Sequence, residues 1–205
     1  LPSYLERSGS SLVYMVQSLI ESSGHPRSGF YLNDFYALHQ TLKKLEAAEQ
    51  KTILIGVSYA LFDFAEAYPM ELKHTIIMDT GGMKGRKEEL TRTELNNALQ
   101  HGFGVNEIHS EYGMTELLSQ AYAVNGIFSS PPWMKIILRD ETDPLTQLPL
   151  HANTSGAINV IDLANLYSCS FIATADAGRY SPDGTFEVLG RLDNADVRGC
   201  SLMFV

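Results

Sequence analysis

Two short runs, Thr52–Val57 (TILIGV) and Thr75–Met78 (TIIM), are built almost wholly of β-branched and other apolar residues. A strand that is apolar on both faces must have both covered, which is what helices do for a parallel sheet. Helical spacing surrounds these runs. Leu12, Val13, Val16, Leu19 and Ile20 recur at that spacing until Gly24 and Pro26, and Phe35, Leu38, Leu42 and Leu45 do so between an Asn33 cap and about Glu49. A short helix is expected over Leu61–Tyr68, another from about Lys87 to His101, and a third strand at Glu107–Ser110. Strands alternating with helices predict a helix-covered parallel sheet over residues 1–125.

Beyond Asn125 the pattern changes. Pro131–Pro132, Asp143–Pro144 and Pro149 separate strand-length segments at Lys135–Leu138, Ala157–Val160, Phe171–Thr174 and Thr185–Leu189, with the clearest turn at Ser181-Pro182-Asp183-Gly184. Residues 126–205 are expected to form a smaller, mostly β subdomain.

Composition limits the function. With 15 basic and 24 acidic side chains the net charge is −9, which opposes nucleic-acid binding through clustered Lys and Arg. No apolar run reaches the length of a membrane span, and an opening that carries Glu6 and Arg7 does not read as a secretory leader, so the expectation is a soluble, cytoplasmic protein. Cys169 and Cys200 are too few for a disulfide scaffold, and the six histidines show no zinc spacing. Asp140, Glu141 and Asp143 read as a solvated loop.

Two polar segments fall beyond the carboxyl ends of expected strands, where open parallel sheets bind ligands. The first is Asp79-Thr80-Gly81-Gly82-Met83-Lys84-Gly85-Arg86-Lys87. Its glycines permit close backbone approach and its cations suit phosphate, although by itself it also reads as a turn before a basic helix. The second, Ser110-Glu111-Tyr112-Gly113-Met114-Thr115-Glu116, holds a ring, a glycine, a hydroxyl and a carboxylate within five positions. Tyr112 can stack on a planar base, Thr115 can donate to a phosphate oxygen, and Glu116 can ligate Mg²⁺. That set suits a nucleoside triphosphate; equally, Thr115 reads as a helix cap and Glu116 as a solvated charge. Asp176 can accept two hydrogen bonds from a ribose diol, and Arg191 can reach ribose or phosphate, though each alone is an ordinary turn residue.

The order of these features is more specific than any one of them. Double-Gly at Gly82, Tyr-Gly-x-Thr-Glu at Tyr112, Thr-x-Asp at Asp176 and Gly-Arg-x-Asp at Arg191 resemble, in succession, the adenylate-forming superfamily of acyl-CoA synthetases, adenylation domains and luciferases. More narrowly, LPSYLERSGSSLVYMVQSLI, SGFYLNDFYAL, ILIGVSYALFDFAEAY and GRLDNADVRGC look like the acyl-protein synthetase (LuxE) family. That resemblance implies a ligase that activates a long-chain fatty acid with ATP and Mg²⁺ and passes the acyl group through an enzyme cysteine to a reductase partner. It places Gly81 and Gly82 at the adenine with Tyr112 stacked on it, Gly113 at the nucleotide, Thr115 at the α-phosphate, Glu116 on Mg²⁺, Asp176 at the ribose, and Arg191 at ribose or phosphate. Cys200, close to the C-terminus, stands where the family's acyl-accepting cysteine lies, and Arg198 beside it favours the thiolate, although a cysteine just ahead of Leu202-Met203-Phe204-Val205 equally reads as a small apolar residue before a final buried strand.

Two departures accompany the match. The superfamily's phosphate loop ending in Lys is not found, and with Leu1 in first position the expectation is that it precedes Leu1. The mobile C-terminal domain with its lysine is likewise not found after Asp193. The competing readings are a CoA ligase of phenylacetate type and a non-catalytic module that keeps the fold.

Overall fold

The structure, a computed structural model, describes residues 10–81, 90–151 and 153–192. The chain divides into two compact units, one ending at His109 and the other beginning at Ser110.

In the first unit, helix α1 (Ser11–Ser23) is capped by Ser10, whose hydroxyl accepts from Val13 N–H, and ends at Gly24 in the left-handed region that glycine favours. Helix α2 (Phe35–Ala47) takes its N-cap from Asp34 rather than the expected Asn33, because the Asp34 carboxylate is the group that accepts from Ala37 N–H at 2.9 Å. Strand β1 (Thr52–Gly56) is followed by α3 (Ser58–Ala67), and β2 (Thr75–Asp79) runs parallel to β1 with Thr52 opposite Thr75 and Gly56 opposite Asp79. The parallel pairing is as the sequence predicts.

Helix α4 (Arg92–Phe103) starts later than the expected Lys87. Leu90 and Thr91 lie outside it, and Thr91 and Glu94 form a reciprocal capping box that fixes the start at Arg92. The core of this unit gathers Leu42, Leu61, Phe64, Leu72, Ile77, Leu95, Leu99 and Phe103. Gly102 lets α4 approach α3, since a Cβ there would stand 2.7 Å from the Ala65 methyl.

The second unit is antiparallel in every pairing resolved from β4 to β6. Its strands are β3 (His109–Tyr112), β4 (Ala121–Val124), β5 (Ile127–Ser129), β6 (Met134–Arg139), β7 (Thr154–Asp162), β8 (Phe171–Tyr180) and β9 (Phe186–Arg191), laid out in the order β3-β4-β5-β9-β8-β7-β6. Its only helical element among the described residues is a 3-10 turn, Leu163–Asn165. The turn at Ser181–Gly184 forms as expected, with Gly184 at φ 91° and its N–H donating to the Ser181 carbonyl. Phe128, Phe186, Tyr112, Leu138, Ile158 and Val160 make the core. No helix of the described residues is long and apolar enough to cross a membrane.

Candidate functional site

Tyr112 is the last residue of β3, not the first residue of a loop beyond it, and this decides its environment. In a strand alternate residues share a face, and Ser110 and Tyr112 are the buried pair while His109 and Glu111 are half-buried. The ring is therefore a core residue, 9% exposed, set edge-to-face against Phe128 at 6.0 Å and Phe186 at 5.9 Å between centroids. This differs from the open stacking platform that the sequence suggests. Its polar end is engaged as well: the phenol donates to Asp176 Oδ2 at 2.9 Å. Burial, and then the negative charge of Asp176, hold the phenol above its ordinary pKa range, so it stays protonated and remains a donor.

Asp176 owes its position to an irregularity in the sheet. Across the β7–β8 pair, Ala157 faces Ala177 and Asn159 faces Ala173, so Ile158 alone opposes Thr174, Ala175 and Asp176. The surplus on β8 bends that segment out of the ladder, as β-bulges do. On the other side a second irregularity on β9, with Gly190 at φ 143°, brings Arg191 directly opposite Asp176. Arg191 Nη1 stands 3.6 Å from Asp176 Oδ1, and the guanidinium remains well exposed. One carboxylate oxygen thus takes the Tyr112 hydroxyl and the other faces a cation. A carboxylate has about four lone-pair positions, so capacity is left for two further donors such as the hydroxyls of a vicinal diol.

Thr115 and Glu116 are exposed at the turn that follows β3. The turn is held by Asp162, Asn165 and Trp133, none of which belongs to a motif. Asp162, fully buried, accepts from Leu118 N–H, Ser119 N–H, the Ser119 hydroxyl and Ala164 N–H at 2.6–3.1 Å. Burial raises its pKa, but the Ser119 hydroxyl and the three amides outweigh that and leave it below the ordinary carboxylate range. Asn165 donates from Nδ2 to the carbonyls of Glu116 and Cys169, and Trp133 Nε1–H donates to the Ser119 hydroxyl. The only sequence signal was Asp162 standing ahead of a short turn, which ordinary capping also produces. A Cβ on Gly113 would lie 2.9 Å from Gln120 Cγ and 3.1 Å from Glu111 Oε2, so these side chains would have to shift to admit one.

The donor set fits magnesium only in a restricted sense. Among the described residues no three His, Cys, Asp or Glu side chains gather to hold a metal ion. A single exposed carboxylate, Glu116, suits Mg²⁺ that arrives with a triphosphate, since that ion keeps waters and phosphates and asks the protein for one or two carboxylates.

Gly81 belongs to the first unit. It follows β2 at φ 77°, and its N–H donates to Asp79 Oδ1 at 3.0 Å. Asp79 is buried and also accepts from the Ser58 hydroxyl at 2.7 Å. Burial raises the Asp79 pKa against the opposing effects of Ser58, Arg92 and Gly81. Gly82, Arg198 and Cys200 lie outside the described residues, while Cys169 is an exposed free thiol.

Solved structures match this arrangement of elements. The ATP-bound MatB of Rhodopseudomonas palustris aligns with a TM-score of 0.54 at 17% identity, over 75% of this chain and 33% of that one. The likeness is one of fold. The amide bond synthetase McbA of Marinactinospora thermotolerans gives 0.54 at 16% identity over 80% of this chain and 35% of its own. O-succinylbenzoate coenzyme A synthetase (MenE) of Bacillus subtilis, in complex with AMP, gives 0.51 at 19% identity over 78% and 35%. The chain spans about a third of the length of the structures it matches. No protein-family model and no curated protein matches it.

Proposed function

We propose that the chain is the part of an acyl-protein synthetase that holds the ribose of ATP while a fatty carboxylate is activated as its acyl-adenylate. The observation that carries this reading is the Tyr112–Asp176–Arg191 constellation, a buried carboxylate with capacity for a diol, on a fold shared with ATP-bound MatB and AMP-bound MenE. Asp176 accepts the ribose hydroxyls, Arg191 braces ribose or phosphate, and Thr115 donates to the α-phosphate. Tyr112 serves through its hydroxyl, which keeps Asp176 turned toward the ligand, rather than as a free stacking surface. Glu116 would hold Mg²⁺, which when bound neutralises phosphate charge. A carboxylate oxygen of the fatty acid then attacks the α-phosphorus, the bond to pyrophosphate breaks, and acyl-AMP results. In the second step the Cys200 thiolate attacks the acyl carbon and AMP leaves, with the acyl group destined for a protein acceptor.

An apolar acyl substrate has support in the first unit, where a cavity of about 490 Å³ is lined by side chains including Val16, Leu42, Ile55 and Phe64. That volume lies within the usual range of small-molecule sites. The test is fatty-acid-dependent exchange of pyrophosphate into ATP, followed by mass analysis of Cys200. Exchange with an acyl adduct on Cys200 supports the reading, and no exchange with any carboxylic acid contradicts it. The MenE likeness favours a second reading, a CoA ligase. Turnover that requires CoA and survives Cys200→Ser would select it.

A further inference from the structure

We infer that Arg139 is the positioning residue that aims Asp176, by filling the gap that the β8 irregularity opens in the sheet. The inference rests on the nucleotide reading of Asp176 given above.

Three residues of β8 opposing one residue of β7 leave backbone groups without ladder partners beside the buried Thr174 and Asp176. The Arg139 guanidinium takes up two of them. Its Nη2 donates to the Thr174 carbonyl at 2.7 Å, and its Nη1 donates to the Ile158 carbonyl at 2.9 Å and to Asn159 Oδ1 at 2.7 Å. The side chain that does this is itself buried, and none of the ion pairs found among the described residues includes it. A buried cation satisfied only by neutral oxygens is a costly choice for mere stability, because its desolvation is not offset by an opposite charge.

What it holds leads directly to Asp176. The Ile158 carbonyl also accepts the Thr174 hydroxyl at 2.9 Å, and the same Thr174 oxygen accepts from Asp176 N–H at 3.2 Å. The middle residue of the bulged segment is tied from the far side, where Leu192 N–H donates to the Ala175 carbonyl at 2.9 Å. The planar fork of Arg139 therefore fixes the first residue of the segment, Thr174 fixes the last, and the Asp176 carboxylate is left to meet Tyr112 and Arg191. Lysine cannot copy the fork, since it offers one nitrogen where Arg139 uses two.

The test compares AMP with 2′,3′-dideoxy-AMP by isothermal titration on the wild-type chain, Arg139→Lys, Arg139→Met and Thr174→Val, with circular dichroism as the check on folding. The wild type should prefer AMP. Each variant that folds should lose affinity for AMP by about tenfold while binding the dideoxy nucleotide as the wild type does, so that the preference for the diol collapses. A purely structural role would weaken both nucleotides together, and that result, or a preserved preference in Arg139→Met or Thr174→Val, overturns the inference alone. A wild-type chain that binds neither nucleotide overturns the nucleotide reading and this inference with it.

Discussion

At the Tyr112 hydroxyl a single oxygen links the core of the second unit to its candidate site. Replacing it in Tyr112→Phe leaves the edge-to-face packing on Phe128 and Phe186 intact and removes the donor to Asp176. Hydrogen bonds to charged groups are worth about 1.5–3 kcal/mol, so unfolding in urea should show a loss of that order, with AMP affinity falling in step. Asp162 makes a second residue-scale prediction. Its four donors are arranged for a carboxylate, and Asp162→Asn would set an N–H₂ against N–H groups, costing about 3 kcal/mol by leaving buried donors unpaired. Its folded pKa is lowered, so its contribution is present above the ordinary carboxylate pKa and is lost as pH falls through the folded value. Acid unfolding of the wild type should therefore steepen below about pH 4, and the Asn variant should lack that component.

At the scale of the element, the sheet of the second unit works through its irregularities. Gly178 sits just past the β8 bulge, where a Cβ would come within 2.7 Å of Ile158 Cδ1 and 3.0 Å of the Glu187 carbonyl. Gly178→Ala should cost about 1–3 kcal/mol through overpacking, and should shift the thermal midpoint downward in a scan at fixed pH. This scale also marks where the sequence stops being legible. The parallel β1–β2 pair could be read because apolar residues on both faces have few other uses. The register slips that set Asp176 opposite Arg191 could not, since a bulge is a difference between two strands and leaves no local signature in either. The ends of α2 and α4 moved for a related reason: neighbouring Asn33 and Asp34 are both good caps, and the capping box at Thr91–Glu94 outweighs the basic run before it.

Over the whole molecule, the ordered motifs pointed to Asp176 and Arg191 as a pair although they are separated in sequence, and the sheet sets them face to face. Tyr112 shows the opposite case. Its motif suggests a surface for a base, while the strand alternation that buries it beside Ser110 makes it a support for a carboxylate. Arg139 and Asp162, which hold the bulge and the turn, carried no motif because their work is to satisfy backbone groups that only the folded sheet leaves open. The contact of Asp176 with a ribose is therefore the central proposal. The most direct measurement is titration of AMP into the wild-type chain and into Asp176→Asn, which keeps an acceptor for Tyr112 and loses the charge. The account predicts binding by the wild type and a loss of at least about tenfold in the variant. Equal affinity for AMP in the two proteins would contradict it.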